Sequence, residues 1–172
     1  MPNGRRFDPA IPGDRENGRF PRGSFGLALL AGILALALLG LFGGGKSPRF
    51  LIDTSHASFT IHTPVRLRSG LFFEHAVIVR ARLPIEDAVI GVDAGLWRDI
   101  TINTMIPTPT EERFAGGQYR FHYGAIDAGE VLIVKIDGQI NSPLIGASRG
   151  SMTLFDGDRQ VATVPLTIAV LP

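Results

Sequence analysis

The run Phe25–Phe42, FGLALLAGILALALLGLF, limits what this chain can fold into more than any other stretch. No charge interrupts the sequence from Gly23 through Gly45. At 1.5 Å of helical rise per residue, about 20 apolar residues cross the roughly 30 Å hydrocarbon layer of a bilayer. The run holds no Pro and no strongly polar side chain, so a helix built from it satisfies its own backbone groups in lipid. The expected layout is a disordered basic cytoplasmic tail (1–23), a transmembrane helix (24–45), a juxtamembrane linker (46–57) and an extracytoplasmic domain (58–172).

Charge sets the orientation. The tail carries Arg5, Arg6, Arg15, Arg19 and Arg22 against Asp8, Asp14 and Glu16, whereas Lys46 and Arg49 are fewer on the far side. Positive residues stay cytoplasmic, which places the N-terminus inside and the C-terminal domain outside a single-pass cell membrane protein. The arginines also suit anionic lipid headgroups. A cleaved export signal is the competing reading. Its apolar core usually runs about 7–15 residues before a small-x-small site, but this run is 18 long and ends in Gly43, Gly44 and Gly45. Arg5-Arg6 is followed at once by Phe7 and lacks the rest of a twin-arginine signal. Ala28 and Gly32, like Gly40 and Gly44, stand four apart, a spacing that lets two helices approach closely and a homodimer form. Small residues are, however, common in membrane helices without any such pairing, and that is the preferred reading.

The net charge of +1 averages two compartments. From Ser47 onward 11 basic residues meet 13 acidic ones, which is no footprint for nucleic acid. The chain has no cysteine, so disulfides, thiol catalysis and cysteine-based zinc sites are excluded.

Beyond Phe50 the pattern changes to period two, the mark of half-buried strands. Phe59 and Ile61 alternate with polar neighbours. Val77, Val79, Ala81 and Leu83 share one face of a longer strand that Pro84 ends. Ala88, Ile90 and Val92 form another, and Thr101–Ile106 the next. PTPTEERFAGG, residues 107–117, reads as a polar loop. Tyr119, Phe121 and Tyr123 then alternate inward, Leu132, Val134 and Ile136 share a face, and Asp156-Gly157-Asp158-Arg159 marks a hairpin. Seven or eight short strands without a helical pattern predict an all-β domain, an antiparallel immunoglobulin-like β-sandwich.

DAVIGVDAGLWRDITINTMIP and GGQYRFHYGAIDAGEVLIVKIDGQIN, within Phe72–Asn141, resemble the Ig-like repeat domains of bacterial envelope proteins, the cell-adhesion-related and conserved-repeat surface domains. The turn Ile126-Asp127-Ala128-Gly129-Glu130 ahead of alternating valines carries much of that likeness. The layout also resembles a group of uncharacterised bacterial single-pass membrane proteins. The resemblance implies a fold and an envelope location, and brings no catalytic residue.

Chemistry is thinly represented. His56, His62, His75 and His122 stand at no metal-ligand spacing, so no metal or other cofactor is expected. Glu86-Asp87 and Glu111-Glu112 read as solvated turn acids, and Asp156 and Asp158 lack the further ligands of a calcium loop. Leu96, Trp97 and Arg98 form the candidate protein contact, with a core tryptophan as the other reading. Tyr123 is a candidate tyrosine corner, tying its turn to the sheet. The function these features point to is a membrane-anchored binding or scaffolding module without enzymatic activity. Its partners are the lipid bilayer and another envelope or membrane protein. The alternative is an envelope glycan-directed hydrolase or carbohydrate-binding module with a site built from loops.

Overall fold

The computed structural model describes residues 22–39, 47–142 and 144–172. The chain divides into two compact units near residue 35. The first contains α1 (Arg22–Leu38), apolar from Phe25 onward, with Phe25, Leu27 and Leu30 exposed. At 17 residues it measures about 25 Å, shorter than the expected span. Among the described residues no helix is long and apolar enough to cross a membrane. Residues 40–45 of the expected span, and nearly all of the tail, lie outside the described residues.

Eleven strands follow: β1 (Arg49–Asp53), β2 (Ala57–His62), β3 (Arg66–Arg68), β4 (Phe72–Ala81), β5 (Ala88–Asp93), β6 (Ile100–Ile106), β7 (Glu111–Ala115), β8 (Gln118–His122), β9 (Val131–Ile140), β10 (Gly146–Asp156) and β11 (Arg159–Leu171). They form a five-stranded sheet, β1-β2-β4-β9-β6, and a six-stranded sheet, β3-β11-β10-β5-β8-β7. Period-two patterning decides which side of each strand faces in. On β4, Phe73, His75, Val77, Val79 and Ala81 are buried, while Phe72, Glu74 and Arg80 are exposed. Phe59, Ile61, Val77 and Ile136 of one sheet share a single core with Ile90, Leu154, Val164 and Ile168 of the other. Each such side chain removed from water contributes about 1.5–3 kcal/mol.

The domain is all-β, as expected, but has eleven strands rather than seven or eight. β1 lies within the stretch expected to be linker, and pairs with β2 from Arg49↔His62 to Asp53↔Ser58. β7 lies within the stretch expected to be loop. Gly116 and Gly117, both at positive φ, close a two-residue turn that folds Glu111–Ala115 back on β8. The third addition is β3, which pairs in parallel with the end of β11. The sandwich is therefore not wholly antiparallel. The expected hairpin at 156–159 is present, with Gly157 at positive φ and Asp156 opposite Arg159.

The two sheets do not cover each other completely. β6 pairs with β9 only from Lys135 to Ile140, and β7 and β8 extend the six-stranded sheet on the same side. β6 and β7 are the free edges there.

Candidate functional site

Along this open side runs a groove of about 570 Å³. One wall is β6 with the segment after it. Ile100, Ile102 and Met105 turn inward there, and Asn103 is the extra residue of a bulge between Ile102 and Thr104. Glu112 of β7 and Tyr119 and Phe121 of β8 form the other wall, with Trp97 at the floor. Strand alternation places Glu112 and Phe114 on the same face as their partners Phe121 and Tyr119.

A run of aromatic contacts joins the floor to this wall and continues past the groove to Phe114. The Trp97 ring stacks on Tyr119 at 6.1 Å and lies 5.5 Å from Phe121, and Phe114 meets Tyr119 at 5.1 Å with the planes 60° apart. Burial declines along the run toward the free edge. Phe121 and Trp97 are 5% and 7% exposed, whereas Tyr119 is 42% and Phe114 62% exposed. Large apolar area left in water beside a groove is the ordinary sign of a contact surface.

The tight turn Asp93–Ile100 sets Trp97 in place. The N–H of Leu96 donates to the carbonyl of Asp93, and that of Ile100 to the carbonyl of Trp97. Gly95 packs against β10, where a Cβ would lie 2.9 Å from the Arg149 carbonyl oxygen. The Trp97 indole N–H is buried and has no acceptor among the described residues.

Glu112 is the groove's carboxylate and forms no ion pair among the described residues. Its neighbour Glu111 pairs with Arg113 on the opposite face. Burial raises the Tyr123 phenol well above its ordinary pKa, and the Glu112 charge adds to this. The Tyr123 hydroxyl points at the Met105 sulfur, 4.0 Å away, and not at a backbone carbonyl as a tyrosine corner requires.

Of the expected contact residues, Leu96 is fully buried, Trp97 nearly so, and Arg98 exposed beside Asp99. The four histidines lie apart in their surroundings. His75 is buried, with Nδ1 2.6 Å from the Thr63 hydroxyl. His122 Nδ1 lies 2.7 Å from the Asp87 carboxylate, whose other oxygen accepts the Gly124 N–H. His56 meets Arg159, and His62 is half-buried on the outer face of its sheet. The Asp87–His122 pair has the look of a catalytic dyad, but its Nε2 is buried and meets no partner among the described residues. Glu86 and Asp87 donate their N–H groups to Asp156, so these acids shape a turn.

Sequence reasoning missed Phe114, Glu112, Ile102 and Met105 as site residues. Gly116-Gly117 after EERFA was the usable signal, because a Gly-Gly pair at a hairpin tip implies a strand before it.

No family model matches the chain. No curated protein matches it either. Among solved structures, it is similar to the CARDB domain of a Pyrococcus furiosus protein in complex with di-metal ions. That match has 12% identity and a TM-score of 0.43, and covers 69% of this chain and 97% of that one. The chitin-binding domain of a hyperthermophilic Pyrococcus furiosus chitinase matches at 14% identity and a TM-score of 0.39, over 69% and 100% of the two chains. A non-cellulosomal cohesin from Archaeoglobus fulgidus matches at 9% identity and a TM-score of 0.42, over 74% and 93%.

Proposed function

We propose that this chain is a membrane-anchored, extracytoplasmic binding module that holds an extended segment of an envelope protein along the β6–β7 groove, without catalysis. The groove is the observation that carries the reading. Each of its walls ends in an edge strand, β6 on one side and β7 on the other, which offers unpaired backbone donors and acceptors to an added strand. Its floor presents apolar side chains at the spacing of a sheet face, and Glu112 supplies an unpaired negative charge. An added strand with alternating apolar residues and a Lys or Arg answers all three features. The anchor is supported by the charge-free run Phe25–Phe42 and by the arginines before it.

A glycan is the second reading, favoured by Tyr119 lying beside Asn103 and Glu112. Against it, the two exposed rings stand at 60° to each other and make no flat platform for a sugar. The test is selection of random peptides displayed on phage against the full chain in detergent micelles, followed by competition with β-linked oligosaccharides. Selected peptides are expected to alternate apolar and basic residues. Glu112→Lys is expected to weaken them by about tenfold or more, the scale of one lost charge-assisted hydrogen bond. Selection that yields nothing above background, or peptides displaced by the oligosaccharides, overturns the proposal.

A further inference from the structure

The end of the sandwich where β1 begins differs from the opposite end in both charge and polarity. At this base β2, β3, β9 and β11 finish, and β4, β6 and β10 start. Three large apolar side chains project there into water: Leu71, Phe72 at 70% exposure and Ile145 at 60%. Around them stand the exposed arginines Arg49, Arg66, Arg98 and Arg149, with Arg68 beside them.

The base has little negative charge to offset these. Asp99 lies 3.6 Å from Arg98, and Glu74 is paired with Lys135. Asp93 is tied up by Ser151 and Gln118. Arg49, Arg66 and Arg149 form no ion pair among the described residues. The opposite end has an acidic excess instead: Asp53, Glu111, Asp156 and Asp158 are paired with arginines there, while Glu86, Asp127 and Glu130 form no ion pair among the described residues. The domain is a charge dipole whose positive pole is the base.

Chain connectivity completes the argument. The sequence enters the sandwich at this same end, with ten residues between Leu38 of α1 and Arg49 of β1. We propose that the base is a lipid-binding surface, in which Leu71, Phe72 and Ile145 enter the headgroup region while the arginines bind anionic phosphates. Apolar tips ringed by arginine are what an anionic interface attracts, by burial of the tips and by charge. The base of the domain is thereby held against the bilayer. This surface meets the groove at the Asp93–Ile100 turn, where Arg98 follows Trp97, and its lipid rests on the membrane-anchor part of the proposed function.

The absence of cysteine makes a direct test simple. Phe72→Cys, Ile145→Cys and, at the far end, Asp158→Cys each receive one nitroxide label in the otherwise unaltered full chain. The chain is reconstituted into phosphatidylcholine vesicles with or without phosphatidylglycerol. Flotation reports membrane association, and collision with oxygen against a water-soluble nickel complex reports label depth. With phosphatidylglycerol, labels at 72 and 145 are expected to enter the interface, with nickel accessibility falling several-fold, while the label at 158 stays in water. Combined Arg49→Gln, Arg66→Gln and Arg149→Gln is expected to return the first two labels to water, with the far-ultraviolet strand signal unchanged. A chain that floats but keeps its labels equally wet in both vesicle types overturns the lipid seat alone. A chain that does not float overturns the anchor and the seat together.

Discussion

Burial of His75 ties the stability of the sandwich to pH. Removal from water lowers this imidazole from an ordinary 6.5 to about 4, because the charged form loses its hydration and gains no anion in exchange. Above about pH 6.5 neither the folded nor the unfolded chain holds the extra proton, and the residue adds no pH dependence. Between about 6.5 and 4 the unfolded chain binds a proton that the folded one refuses, so stability falls as pH falls. At about 1.4 kcal/mol per unit the loss totals roughly 3 kcal/mol, and below about pH 4 it stops growing. Urea midpoints measured at pH 7 and pH 4.5 are expected to differ clearly in the parent and much less in His75→Gln. An equal slope in the two proteins refutes the assignment. From sequence His75 reads as a histidine at a strand surface, and the structure corrects this by burying it. It sits at an inward position of a period-two strand, yet histidines at strand surfaces are common, and only the facing sheet decides which applies.

At the level of elements, the groove depends on how closely the Asp93–Ile100 turn packs under β10. A Cβ on Gly150 would lie 2.9 Å from Leu96 Cβ, 3.0 Å from Leu96 N and 2.8 Å from Asp93 Cβ. Gly150→Ala is therefore expected to push the turn away and cost about 1–3 kcal/mol, the usual cost of overpacking. It should also weaken groove ligands, since Trp97 moves with the turn; chemical denaturation and peptide titration read the two effects. The strands that pattern reasoning found, such as β4, β5 and β9, are those whose apolar residues alternate over several positions. β7 escaped because five residues with two adjacent glutamates look like a polar connection until the glycine turn is given its due. β3 escaped for another reason: three residues hold as a strand only because β11, far later in the chain, lies beside them. The site was legible in part. Tyr119 reads as inward-facing from sequence, and it does share a face with Phe121. Its exposure depends on where the opposing sheet stops, which no local pattern records. Trp97 stood out as the single tryptophan, but its neighbours Ile102 and Met105 come from the other sheet.

For the molecule as a whole, the arginine-rich tail and the proposed anchor predict a specific topology. Protease added to sealed spheroplasts is expected to degrade the sandwich while an epitope placed in residues 1–20 survives. Survival of the sandwich refutes the orientation. That arrangement also gives the first strand a mechanical role. β1 runs from the base toward the far end, hydrogen-bonded to β2 along its whole length. Under the proposed anchor, a pull on the chain where it enters β1 at Arg49 acts along that strand. It must shear all of the β1–β2 rungs together, whereas a pull across the strands would open them one by one. The strand that receives the chain from α1 thus acts as a force-bearing splice, able to take strain from an attached neighbour without the sandwich coming apart.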